Sequence, residues 1–140
     1  MSKVYFTNMN TEPEVGLLQK IGLLLNRVQL NEIVEKDKFV AIKVHFGEYG
    51  NVAFVRHNYV RVIVDMIKKL GGKPYVTDAN TLYHGSRSNA VDHIETAITN
   101  GFTYETLGAP VIMADGLRDS DQIEVDIKGD YIKKAKVSSE

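Results

Sequence analysis

FVAIKVHFGEYGN, residues 39–51, decides the fold. Phe39–Val44 is a run of apolar and β-branched residues broken only by Lys43, the pattern of a strand buried on both faces, as in parallel sheets. The run stops at a polar, glycine-bearing segment, His45-Phe46-Gly47-Glu48-Tyr49-Gly50-Asn51. Strand followed by glycine-rich turn is how a βα unit begins, and the residues downstream supply the helix. Asn58 is placed to cap it, Val60, Ile63, Val64, Ile67 and Leu70 recur along one side, Lys68 and Lys69 sit in its last turn, and Gly71-Gly72 stop it.

The cycle then repeats. Pro74–Thr77 reads as a second strand. Ser88 or Asn89 caps a helix carrying Val91, Ile94, Ala97 and Ile98, which ends at Asn100-Gly101, and Pro110–Ala114 reads as a third strand. Upstream, Lys3–Thr7 alternates like a short strand. Thr11 with Glu14 and Pro13 forms a helix-start signature ahead of Val15, Leu18, Ile21, Leu24, Leu25 and Val28, although Gly16 and Gly22 weaken it. Asn31–Lys38 is a polar connector. Downstream, Gln122–Ile127 and Tyr131–Val137 flank Lys128-Gly129-Asp130 and suggest a hairpin, with Ser138–Glu140 frayed. Alternating strands and helices predict an α/β fold: one three-layer domain spanning residues 1–140, with a mainly parallel sheet, right-handed crossovers and a C-terminal β-hairpin.

The chemistry-bearing residues gather after those three strands: His45 to Asn51, Asp78 to Asn89, and Asp115-Gly116. Ligands of open α/β sheets bind beyond the carboxyl ends of the strands, so one cleft could collect all three segments. The candidate ligand-binding residues are His45, Glu48, Asn51, Asp78, Asn80, Arg87 and Asp115. Asn51 and Asn80 would both donate and accept, Arg87 would fork onto an anion, and the acids would anchor a cation or hydroxyl. His45, Glu48, Asp78 and His93 form a tentative mixed nitrogen–oxygen metal set, although their spacing marks no particular metal. Lys43 and His45 should point to one face of their strand, Lys43 either snorkelling, pairing with an acid or offering a fixed charge. The competing reading is purely structural: Arg87 pairs with Glu48 or Asp78, Asp78 and Asp115 serve turns, and His93 is a packed helical histidine. Gly47 and Gly50 match neither a P-loop nor a dinucleotide fingerprint.

Composition closes several routes. The chain has 140 residues and no cysteine, which excludes disulfides, thiolate catalysis and cysteine-ligated zinc or iron–sulfur clusters within it. With 17 basic and 18 acidic residues it offers no general field for nucleic acid or anionic membrane. No apolar stretch approaches the ~20 residues of a membrane span, and the first ten residues do not read as a signal peptide, so a cytoplasmic location is the default expectation.

Lys43–Asn51 (KVHFGEYGN), Gly71–Ala90 (GGKPYVTDANTLYHGSRSNA), Asp92-His93, Asn100-Gly101-Phe102 and Gly108–Leu117 (GAPVIMADGL) together resemble the domain-of-unknown-function 362 family, often described as uncharacterised iron–sulfur-centre proteins. His57 departs from the pattern, where proline is often found after the arginine. The resemblance implies that this is the N-terminal part of a longer protein. It also implies a four-iron, four-sulfur cluster held by cysteines in a C-terminal part, so that part or a ferredoxin-like module becomes an expected partner. Two functions follow as expectations. One is a metal- or small-anion-binding α/β part of a redox protein. The other is a non-catalytic binding or assembly module that docks a partner or delivers a cofactor, with a homodimer through the hairpin or a sheet edge as one form of association.

Overall fold

A computed structural model describes residues 3–140. Strands β1 (Phe39–Lys43), β2 (Lys73–Asp78) and β3 (Val111–Met113) form a parallel sheet in the order β1-β2-β3. Strands β4 (Gln122–Asp126) and β5 (Lys134–Ser138) form the antiparallel hairpin. The α/β class, the parallel sheet and the hairpin are those expected. Among the described residues no helix is long and apolar enough to cross a membrane.

Helix α3 (His57–Lys69) joins β1 to β2, and α4 (Ala90–Thr99) with α5 (Tyr104–Leu107) joins β2 to β3. Two successive crossovers of one hand, running in one direction across a sheet, bring their helices to the same face. The core agrees with this. Val60 and Val64 of α3, Ala90 and Ala97 of α4, Leu107 of α5, Val76 of β2 and Met113 of β3 form one buried cluster with Phe46 and Phe102. Helix α1 (Leu17–Arg27) packs beside α3, its Leu17, Ile21, Leu24 and Leu25 half-buried. On the opposite face, Phe39 is 80% exposed, Ala41 and Lys43 are exposed and Ile112 is 41% exposed, so the layers are complete on one side only among the described residues.

Several local expectations shift. Lys3–Thr7 pairs with nothing and forms no strand; Val4 and Phe6 are almost fully exposed, so alternation there has no face to bury. Helix α1 starts after Gly16, without a side-chain cap. Thr11 to Val15 instead make a tight turn closed by reciprocal Glu12–Val15 hydrogen bonds around Pro13. The connector after α1 contains a short helix α2 (Leu30–Ile33). Arg56, not Asn58, is the N-cap of α3; Asn58 lies inside the first turn. Asn89 caps α4 as expected, accepting from the N–H groups of Val91 and Asp92 at 3.1 Å each. The face that α4 buries is rotated from the expected one, with Ala97 buried and Ile94 half-buried against the core as expected. Val91 and Ile98 are exposed, while His93, Thr96 and the two alanines are buried. The hairpin loop is longer than a Lys-Gly-Asp turn, with β5 starting at Lys134, and the tail is tied down: Ser139 N–H donates to Asp121 O and Glu140 N–H to Ala114 O.

Candidate functional site

The parallel register places the ends of β1, β2 and β3 along one edge, where the three polar segments emerge. The first turns sharply. Gly47 and Gly50 take φ of +85° and +76°, conformations open to glycine, and at Gly47 a Cβ would lie 2.5 Å from the Phe54 ring. Asn100 closes over this turn, its amide donating to Phe46 O at 2.9 Å.

At the centre lies Arg87, whose side chain is 4% exposed. Its Nε donates to Glu48 Oε1 at 2.8 Å, its Nη2 to the Tyr83 hydroxyl at 2.7 Å, and its Nη1 to Asp78 Oδ2 at 3.2 Å. Glu48 also accepts from Tyr83 Oη at 2.7 Å and Ser86 Oγ at 3.1 Å. Asp78 accepts further from Lys43 Nζ at 2.8 Å and from the Ala79 N–H at 3.0 Å. The guanidinium is thus shared by two carboxylates and a phenol. Its hydrogen bonds hold the Glu48 carboxyl at about 2. Burial works to raise Asp78, but His93 and Lys43 outweigh it and hold that carboxyl at about 2 as well. For Arg87 burial pulls the other way, and pairing with Glu48 more than offsets it.

A second group joins the first through His93. Asp115, fully buried, accepts from the Asn80 N–H at 2.8 Å and from Asn80 Nδ2 at 2.9 Å; the same amide nitrogen donates to Gly116 O at 2.9 Å. With both amide hydrogens so engaged, Asn80 Oδ1 is left as an acceptor, and it lies 3.4 Å from His93 Nδ1. His93 Nε2 lies 3.5 Å from Asp78 Oδ2 and makes no hydrogen bond, while the ring stands edge-on to Phe46 at 5.7 Å. Burial pushes the Asp115 carboxyl up; the Asn80 N–H works against this and Asp119 adds to it.

Of the seven candidate ligand residues, Glu48, Asp78, Asn80, Arg87 and Asp115 converge, and His93 joins them from α4. His45 and Asn51 do not. Both are exposed, and each side chain accepts a nearby backbone N–H, His45 from Gly47 and Asn51 from Ala53. The tentative metal set is not assembled either: no three His, Asp or Glu side chains are grouped to hold a metal among the described residues. Glu48 is turned into Arg87, and the exposed His45 accepts from its own turn. Tyr83 and Ser86 are partners that the sequence reading missed. Their position in the same loop as Arg87 was the available signal.

The model of a domain of unknown function, DUF362, matches residues 40–140. The chain belongs to the DUF362 family. The matched span takes in every residue of the network, from Lys43 on β1 to Gly116 after β3. No curated protein and no solved structure matches the chain. Within this DUF362 segment, the hydrogen-bonding capacity of the buried charges is spent largely on one another. That arrangement can brace three loops; Lys43, paired with Asp78, and His45 lie exposed at the end of β1.

Proposed function

We propose that this DUF362 chain is a non-catalytic binding or assembly module, which docks a partner and does no chemistry at the strand ends itself. The observation behind this is the engagement of Arg87, the group best suited to clamp an anion: all three of its guanidinium nitrogens, Nε, Nη1 and Nη2, donate to Glu48, Asp78 or Tyr83. A ligand would have to displace buried ion pairs, and breaking such a pair from one side costs ~3–5 kcal/mol. The network acts as a brace that fixes the loops against the sheet.

The competing reading is a metal- or anion-binding part of a redox protein. It has in its favour the convergence of three loops and the exposure of Lys43 and His45 at their mouth. Asp78→Ala and His45→Ala separate the two. Each is compared with wild type by urea denaturation and by calorimetric titration with zinc, manganese and inorganic phosphate. The bracing role expects Asp78→Ala to lose ~3–5 kcal/mol, His45→Ala to lose less than ~0.5 kcal/mol, and no heat of binding for any protein. Stoichiometric binding by wild type that either substitution abolishes would overturn it in favour of a ligand site.

A further inference from the structure

The hairpin stands apart from the rest of the molecule. It is tied to the body at its open end, through Asp121 N–H to Asp115 O and Glu140 N–H to Ala114 O, while Ser139 N–H to Asp121 O closes that end of the hairpin itself. Its register sorts the side chains cleanly. Ile123 faces Val137 and Val125 faces Ala135 on one side; Glu124 faces Lys136 and Asp126 faces Lys134 on the other. The charged side is settled, with Lys134 Nζ 2.6 Å from Glu124 Oε1. The apolar side is not: Ile123 is 51% and Val137 41% exposed. A two-stranded hairpin with no layer on either face is at best marginal in water, so this one needs a cover.

We infer that the cover is the same face of a second copy of this chain, stacked antiparallel about a two-fold axis. The hairpin's charge distribution selects this occupant and this orientation. Its tip, residues 127–133, carries Lys128 and Lys133 against Asp130, a net charge of +1. Its base, residues 118–121 and 138–140, carries Asp119, Asp121 and Glu140 against Arg118, a net charge of −2. Antiparallel stacking lays each tip over the other base, so the attraction is counted twice; parallel stacking would set base on base and repel. An arrangement in which one patch complements itself is what a two-fold dimer requires. Two short ribbons stacked ~10 Å apart, as packed sheets are, also keep Glu124 and Lys134 in solvent. The apolar face is small beside the ~800 Å² per partner of a standard interface, so the dimer is weak and exchanging.

This inference rests on the hairpin alone and stands apart from the reading of the strand-end network. Sedimentation equilibrium of the full chain from about 5 µM to about 1 mM reads it directly. Wild type is expected to shift from monomer to dimer over that range, with Ile123→Glu raising the dissociation constant at least ~10-fold. The charge argument has its own test on exposed side chains. The Lys128→Glu/Lys133→Glu double variant and the Asp121→Lys variant should each dimerise at least ~10-fold more weakly than wild type, and an equimolar mixture should recover a heterodimer. A wild type that stays monomeric to about 1 mM overturns the inference. So does a dimer that Ile123→Glu leaves unchanged, or a charge-variant mixture that associates no better than its components.

Discussion

Asp78→Asn keeps the shape of the side chain and removes its charge. In the folded protein the Asp78 carboxyl is held at about 2, against an ordinary value of 3.8. Each unit of that difference is ~1.4 kcal/mol, so the ionised form contributes about 2 kcal/mol at neutral pH. The amide adds a second loss. Asp78 accepts on both oxygens, Lys43 and Ala79 on one and Arg87 on the other, and the asparagine NH2 must face one of these donor sets. A buried donor left facing another donor costs ~1–3 kcal/mol more. The expected total is ~3–5 kcal/mol at pH 7, read by urea denaturation with an unchanged slope. The pH dependence has a definite sign. Because the folded value is depressed, the contribution of the charge is fully present above pH ~4 and disappears as pH falls through about 2. The gap between wild type and variant should therefore narrow below pH ~3. A loss under ~1 kcal/mol at pH 7, or a gap that does not change between pH 7 and 2, would refute the bracing role.

Wild type itself should lose stability steeply as pH drops from 4.5 toward 2, because Glu48 and Asp78 both take up protons more readily unfolded than folded; a flat Tm across that window would contradict this. Gly47→Ala should cost ~1–3 kcal/mol, since the new methyl meets the Phe54 ring and the Asn100 amide at a positive φ, whereas Gly50→Ala, with open space around it, should cost less; denaturant midpoints of the two compare them. Asn89→Ala removes two hydrogen bonds to the start of α4 and should cost ~1 kcal/mol by the same measurement.

The central strands were legible because Phe39–Val44, Pro74–Thr77 and Pro110–Ala114 are short apolar and β-branched runs; the burial expected on both faces of Phe39–Val44 is met on one only, Phe39, Ala41 and Lys43 being exposed. The N-terminal segment was not. Val4, Phe6 and Tyr5 alternate as a strand does, but alternation forms a strand only where a partner edge is taken up, and this segment pairs with none. Helix α4 misled for a related reason. Its apolar residues suggest one buried face, yet His93, lying beside Asn80 and Asp78, and Thr96 are buried together with Ala97 while Val91 and Ile98 are left in solvent. The site was legible as far as topology carries it. Asp78, Asn80 and Asp115 meet because β2 and β3 end together, and Arg87 pairs with the acids that the sequence offered. What Tyr83 and Ser86 do depends on the path of an irregular loop, which no periodicity encodes, and His45 and Asn51 lie in the right segment but spend their side chains on their own turns.

That loop, Ala79 to Asn89, has a further consequence. It contains no helix or strand, and few of its backbone amides are held by backbone carbonyls; Thr81 N–H to Arg87 O and Ser88 N–H to Gly85 O are two that are. Its order comes from side chains instead: the Arg87 guanidinium reaches Tyr83, Glu48 and Asp78, Ser86 reaches Glu48, and Asn80 is held to Asp115 and Gly116. A segment whose fastenings belong to one buried network opens when that network does. Its amides should exchange with solvent deuterium as one cooperative unit, well before those of β2, and the exposed His84-Gly85 tip should become a protease cleavage site in step with that exchange.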